Sequence, residues 1–242
     1  MARSSRKQAA SKFRRAIARS NELHAEYLDD PGLYAAYDRF TRWQLDYMLP
    51  FFSDLLEPEG YAEAVDFIVS DLAGVGVSER DREIERATPV IVRSLPAYPL
   101  ETAAAAVELN ARVLEINLGI CRELLVDDEL PPVISEQDYF IACRRVSSYE
   151  ECMELVHLAA NLGETLKRLV RVPLIGGLLR TMRKPAHAAG FGALQEFLET
   201  GYLRFGRISD IDRFLGLLRV RMDQVFERIY CSTIPAEKGT VT

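Results

Sequence analysis

Apolar residues recur along this chain at intervals of three and four, and strand-type alternation is absent. That spacing predicts one helix after another and no strand. Asn-Gly and Asp-Gly hairpin turns are missing as well,. Helix starts are well marked. Asp30-Pro31 reads as an N-cap followed by proline at the first helical position,. Ser78, Ser135, Ser148 and Ser209 each precede an acid by three residues, as in a capping box,. The version at Ser148 carries Glu151, whose longer side chain reaches back to the cap N–H. Breaks fall at Glu57–Gly60, Ala73–Gly76, Leu95-Pro96, Pro131-Pro132, Val172-Pro173 and Lys184-Pro185. The result is an all-α fold, a compact multi-helical bundle of roughly ten helices. No fixed-period repeat is read from the pattern.

Both flanks of Pro131-Pro132 are helical and apolar. Residues 20–232 are therefore expected to form a single all-α domain, with a sub-boundary near 131–132. Residues 233–242 read as a flexible C-terminal tail. Residues 1–19 carry seven Lys/Arg and no acid, and read as a flexible basic tail leading into the first helix,. Ala9, Ala10, Phe13, Ala16 and Ile17 give that segment a weak helical stripe. Its Arg- and Ser-rich, acid-poor composition also describes a transit peptide.

The segment Glu101–Leu125 reads as a central helix. Glu108, Arg112, Glu115, Arg122 and Glu123 form one polar strip, and apolar residues cover most of the remaining circumference. Such a helix is buried. Asn110 and Asn117, one heptad apart, point into the apolar arc. A buried amide must find partners, so the pair is either a structural contact or part of a ligand pocket.

The formal net charge of −6 is unevenly spread. Residues 20–162 hold 28 acids against 10 bases, whereas residues 163–221 hold 11 bases against 5 acids. Overall acidity disfavours a dedicated nucleic-acid binder. No apolar run approaches the length of a membrane-spanning helix. The four cysteines, without C-x-x-C spacing, are expected as reduced thiols in the cytoplasm.

Several stretches carry a resemblance. Pro50–Leu56, Tyr61–Gly74 and Ser78–Arg86 resemble the bacterial FFLEELY-motif proteins, and Leu178–Gly190 through Leu194–Gly201 is similar to that family's second signature. The likeness covers most of residues 36–230. The naming motif aligns with Phe67–Ala73: Phe67 and Leu72 match, Asp71 stands for Glu, and Ala73 for Tyr. The resemblance implies an intracellular bacterial all-α protein. It brings no activity, cofactor or catalytic residue.

Glu154-Leu-Val-His157 is a single E-x-x-H, where a di-metal bundle site needs two copies projecting inward. Here His157 falls opposite Leu155, Ala159, Leu162, Leu166 and Leu169, and Glu154–His157 reads as a surface pair; no metal site is expected. His24 reads as an exposed helical histidine. Cys152 starts a helix, but the neighbouring glutamates oppose thiolate formation.

The stretch Arg180–Gly201 is the remaining candidate. Gly190-Phe-Gly192 precedes a helix, whose free N–H groups attract anions. Arg180, Arg183 and Lys184 lie nearby, with His187, Gln195 and Tyr202 as polar neighbours. Against this, Ala186, Ala188, Ala189, Gly190 and Gly192 would let two helices pack closely. Residues 166–184 combine bases with large aliphatics and also suit an anionic membrane surface. Three functions remain open: non-enzymatic binding of a protein partner or a small anionic or amphipathic ligand; an enzyme using a pocket formed by Asn110, Asn117 and residues 180–202; and peripheral membrane association. Cofactor, ligand and oligomeric state are unspecified.

Overall fold

The structure, a computed structural model, describes residues 2–56, 61–68 and 79–233. The expected cap at Ser78, the breaks at 57–60 and 73–76, motif positions 69–73 and the tail from residue 234 lie outside the described residues. The fold is all-α. Its elements are α1 (Ala2–Leu28), α2 (Pro31–Met48), a 3-10 helix (Leu49–Leu55), α3 (Tyr61–Phe67), α4 (Glu79–Ser94), α5 (Ala97–Glu123), α6 (Glu136–Val146), α7 (Tyr149–Val170), α8 (Pro173–Ala188), α9 (Gly192–Gly206) and α10 (Ile211–Cys231).

The caps follow side-chain chemistry. Asp30 accepts from the N–H groups of Gly32 and Leu33 at the start of α2. Ser148 and Glu151 form a complete capping box on α7. At α6, Ser135 accepts from the Asp138 N–H and donates its hydroxyl to the carboxylate of Asp138. Its shorter side chain does not make the return bond to the cap N–H. The cap expected at Ser209 shifts by one residue, because Asp210 itself accepts from Arg213 N at 3.0 Å. Pro185 does not end its helix: α8 continues through it to Ala188. The proline and Thr181, whose carbonyl loses its helical donor, are both exposed, so water can replace the bond.

Residues 2–19 form the first part of α1, and α1 lies along α5. Ala9, Phe13, Ala16, Ser20, Leu23 and Tyr27 are buried at alternating steps of four and three. Leu100, Ala104, Val107, Ala111, Leu114, Leu118 and Cys121 repeat the same steps on α5, all buried or half-buried. These are two heptad seams. Three polar bridges pin them: Ser5 to Glu101, Arg19 to Glu115 and Glu26 to Arg122. The residue offset is 96 in each, so the helices run parallel and in register. Arg6 adds an end cap, donating to the Val92, Arg93 and Leu95 carbonyls at the close of α4.

Among the described residues, three apolar clusters form the core. The largest joins α1, α2, α5, α6 and α10, with contributors from both sides of Pro131-Pro132. A second joins the 3-10 helix, α3, α9 and α10. The third lies among α1, α4 and α5. Helix α7 bridges α5 to α8, α9 and α10.

Candidate functional site

The basic, glycine-rich stretch builds the corner between α8 and α9. Val172 is extended and Pro173 takes the first position of α8, where its missing N–H costs nothing,. The chain then reverses at Gly190, whose φ of +76° suits glycine,. The two helices meet through small residues. A Cβ on Gly176 would lie 2.8 Å from the Tyr202 ring, and one on Gly192 would lie 2.7 Å from the His187 ring. Gln195 is buried, and its amide donates to the Leu179 carbonyl at 2.6 Å. Arg183 donates to both oxygens of Glu199, at 3.0 and 2.5 Å. The Arg183 guanidinium holds the Glu199 carboxyl below the usual carboxylate range, against the opposing effect of burial. His187 also lies 3.6 Å from Glu196. Arg183, His187, Gln195 and Tyr202 are thus brought together, and their contacts join α8 to α9. Arg180 and Lys184 point to solvent.

The start of α9 already holds a carboxylate. Glu83 of α4 is 3% exposed and accepts from the Leu194 N–H at 2.6 Å. The charge is favourable there because the helix N-terminus carries partial positive charge. Beside it, Arg86 donates to the Gly190 carbonyl at 2.9 Å and lies over the Phe191 ring. Sequence reasoning missed both α4 residues. Their signal is faint: Glu83 lies on the margin of the Ile84–Ala87–Ile91 apolar stripe, four residues before Ala87.

The asparagine pair sits elsewhere. Asn110 and Asn117 are half-buried on α5. Asn117 accepts from Gln44 of α2 at 3.2 Å, and the same Gln44 amide donates to the Tyr139 hydroxyl of α6 at 3.1 Å. The Tyr37 hydroxyl of α2 also lies close to the Asn117 side chain. Asn117 therefore ties α2 to α5 inside the largest core. α8 and α9 pack chiefly on each other and on α3, α4 and α7, so the structure groups Asn117 and the α8–α9 corner separately.

The thiols are largely sequestered. Burial pushes Cys121 up to about 11 and Cys143 up to about 12. Cys152 is buried, its Sγ 3.3 Å from the Tyr230 hydroxyl and 3.7 Å from that of Ser147. Cys231 is exposed. His157 is exposed, as its helical position requires. Glu154 pairs with Arg112 at 3.5 Å rather than with His157. His24 is half-buried instead of exposed, against Tyr27 and the Ser20 hydroxyl. Among the described residues, no group of three or more His, Cys, Asp or Glu side chains is placed to hold a metal ion.

The face of α8 turned away from α9 is different. Leu174, Leu178 and Met182 are 79%, 57% and 45% exposed. At i, i+4 and i+8 they form a single apolar ridge. Ile175 and Leu179, on the flank of the helix toward its packed face, are half-buried.

A family model described as a domain of unknown function, DUF8198, matches residues 23–234. No curated protein and no solved structure matches the chain.

Proposed function

The chain belongs to the DUF8198 family, a domain of unknown function; no activity follows from that membership, and we propose that it is a non-enzymatic docking protein whose contact element is the outer face of α8. The observation that carries this reading is the ridge of Leu174, Leu178 and Met182 on a helix whose inner face is fixed. Scattered apolar residues on a surface need no explanation, but an aligned set on one helix suits an interaction site. The groups an external anion would use favour this reading as well. Such an anion would have to displace the Glu83 carboxylate from Leu194, and Arg183 from Glu199.

The test is site-specific photocrosslinking of the full chain in cells. A photoreactive residue at position 178 is expected to give adducts. The same residue at position 220, where Val220 is comparably exposed on α10, is expected to give none. No adduct at 178, or equal adducts at both positions, would overturn the proposal.

A further inference from the structure

We infer that the partner of α8 is an anionic membrane surface, on which the helix lies flat with Leu174, Leu178 and Met182 inserted among the lipids and Arg171 and Lys184 at headgroup level. This rests on the docking reading above and names its occupant. Two observations select a bilayer.

The first is shape. A partner helix seats in a groove between two elements. The apolar residues here form a ridge on one helix, about 12 Å long from Leu174 to Met182 at the helical rise. The residues beside it, Gly177, Thr181 and Pro185, are exposed. A convex line of two leucines and a methionine fits the plane of an interface.

The second is charge. Residues 165–195 contain six Lys/Arg and not one Asp or Glu. Two of the six are used within the fold, Lys167 with Asp212 and Arg183 with Glu199. Arg168, Arg171, Arg180 and Lys184 are exposed and form no salt bridge among the described residues. Arg171 stands just before the ridge and Lys184 just beyond it, whereas Arg180 lies toward the α9 side of α8, where its charge also acts on the Glu199 carboxylate. The molecule as a whole is acidic, with a net charge of −6. That charge is screened beyond about 10 Å at 0.1 M salt, so the local basic patch governs contact with a surface. Among the described residues no helix is long and apolar enough to cross a membrane, which leaves surface attachment as the geometry for this face. The seat is prepared in advance: Arg183–Glu199, Gln195–Leu179 and the Tyr202 ring over Gly176 hold α8 against α9, so binding need not order the helix.

The experiment is co-sedimentation of the full chain with two kinds of vesicle. One is phosphatidylglycerol and phosphatidylcholine in equal parts; the other is phosphatidylcholine alone. Partition into the anionic vesicles is expected, falling as salt rises. The L174S/L178S double variant should lower it roughly tenfold or more. The R171Q/K184Q variant should lower it by a similar factor and flatten its salt dependence. V220S, changed on another face, should bind as the wild type. Far-UV circular dichroism of each variant checks that helicity is retained. Failure to sediment with anionic vesicles, equal binding to neutral ones, or indifference to L174S/L178S would overturn the inference. The crosslinker at position 178 separates the two levels. A lipid adduct agrees with both. A protein adduct without vesicle binding overturns the membrane while leaving the docking reading. No adduct at all overturns both.

Discussion

The Glu83 carboxylate on α4 accepts a hydrogen bond at 2.6 Å from the Leu194 N–H and so closes the start of α9 from a different element of the fold. Glu83 is almost fully buried. Removing the acceptor leaves a buried N–H without its partner and costs about 1–3 kcal/mol. Glu83→Ala should lower the denaturation midpoint accordingly and speed hydrogen exchange at residues 192–195. Glu83→Gln keeps a carbonyl acceptor and should recover part of the loss. Equal exchange in all three proteins would refute the role.

Gly176 and Gly177 are neighbours with opposite expectations. A methyl at Gly176 would press on the Tyr202 ring, whereas at Gly177 it meets nothing within 4 Å. Gly177→Ala should stabilise α8 by about 0.5–1 kcal/mol through the lower helix cost of alanine. Gly176→Ala must swing Tyr202 out of its seat and should lower the melting temperature. Thermal denaturation of the two single variants decides it.

Acid should loosen the α8–α9 contact. Hydrogen bonding to Arg183 lowers the Glu199 carboxyl below its ordinary value. The resulting stability is complete above the ordinary carboxylate value of about 4.3. It is lost as pH falls through the lower folded value. Amide exchange of α8, corrected for intrinsic rates, should therefore rise on the acid side of that range. Arg183→Gln should abolish the step. A wild-type profile without it would mean the pair contributes nothing.

Thiol chemistry should distinguish the four cysteines. Cys231 is exposed, and the other three are buried. A thiol reagent should label Cys231 at once, and label Cys121, Cys143 and Cys152 only as the protein unfolds. Mass spectrometry of the labelled peptides gives the order. Rapid labelling of Cys152 would instead mean that its helix start opens to solvent.

The sequence made the fold class legible because helix ends are local events. Asp30 and Ser148 cap where their own backbones need them. The polar strip of α5 was also readable, since one helix suffices to define it. What escaped notice depends on pairing. The heptad of α1 looks weak alone, with alanine at Ala9 and Ala16, and the shared offset of 96 appears only when α1 and α5 are laid together. The α9 cap escaped for the same reason, because its acceptor comes from 111 residues away. The basic stretch was legible as a place but not as an arrangement. Its spacing could not say that Arg183 would be taken by Glu199 while Arg180 and Lys184 stayed in water.

The parallel α1–α5 seam makes the N-terminal segment part of the folded body, and one pair of neighbours tests this. Phe13 is 1% exposed between α1 and the cluster with Leu100 and Ala104. Lys12, the residue before it, is exposed. Truncating a buried phenylalanine costs about 3–5 kcal/mol, from lost transfer energy and the cavity left behind. An exposed substitution away from special features stays within about 0.5 kcal/mol. Phe13→Ala should therefore shift the urea midpoint strongly, with an unchanged slope if the unfolding remains two-state. Lys12→Ala should leave the midpoint in place. A detached basic segment would make the two variants indistinguishable, because neither side chain would then be buried in the native state. The size of the Phe13 effect also measures coupling: if α1 unfolds before the rest, the variant should split the transition and lower only its first part.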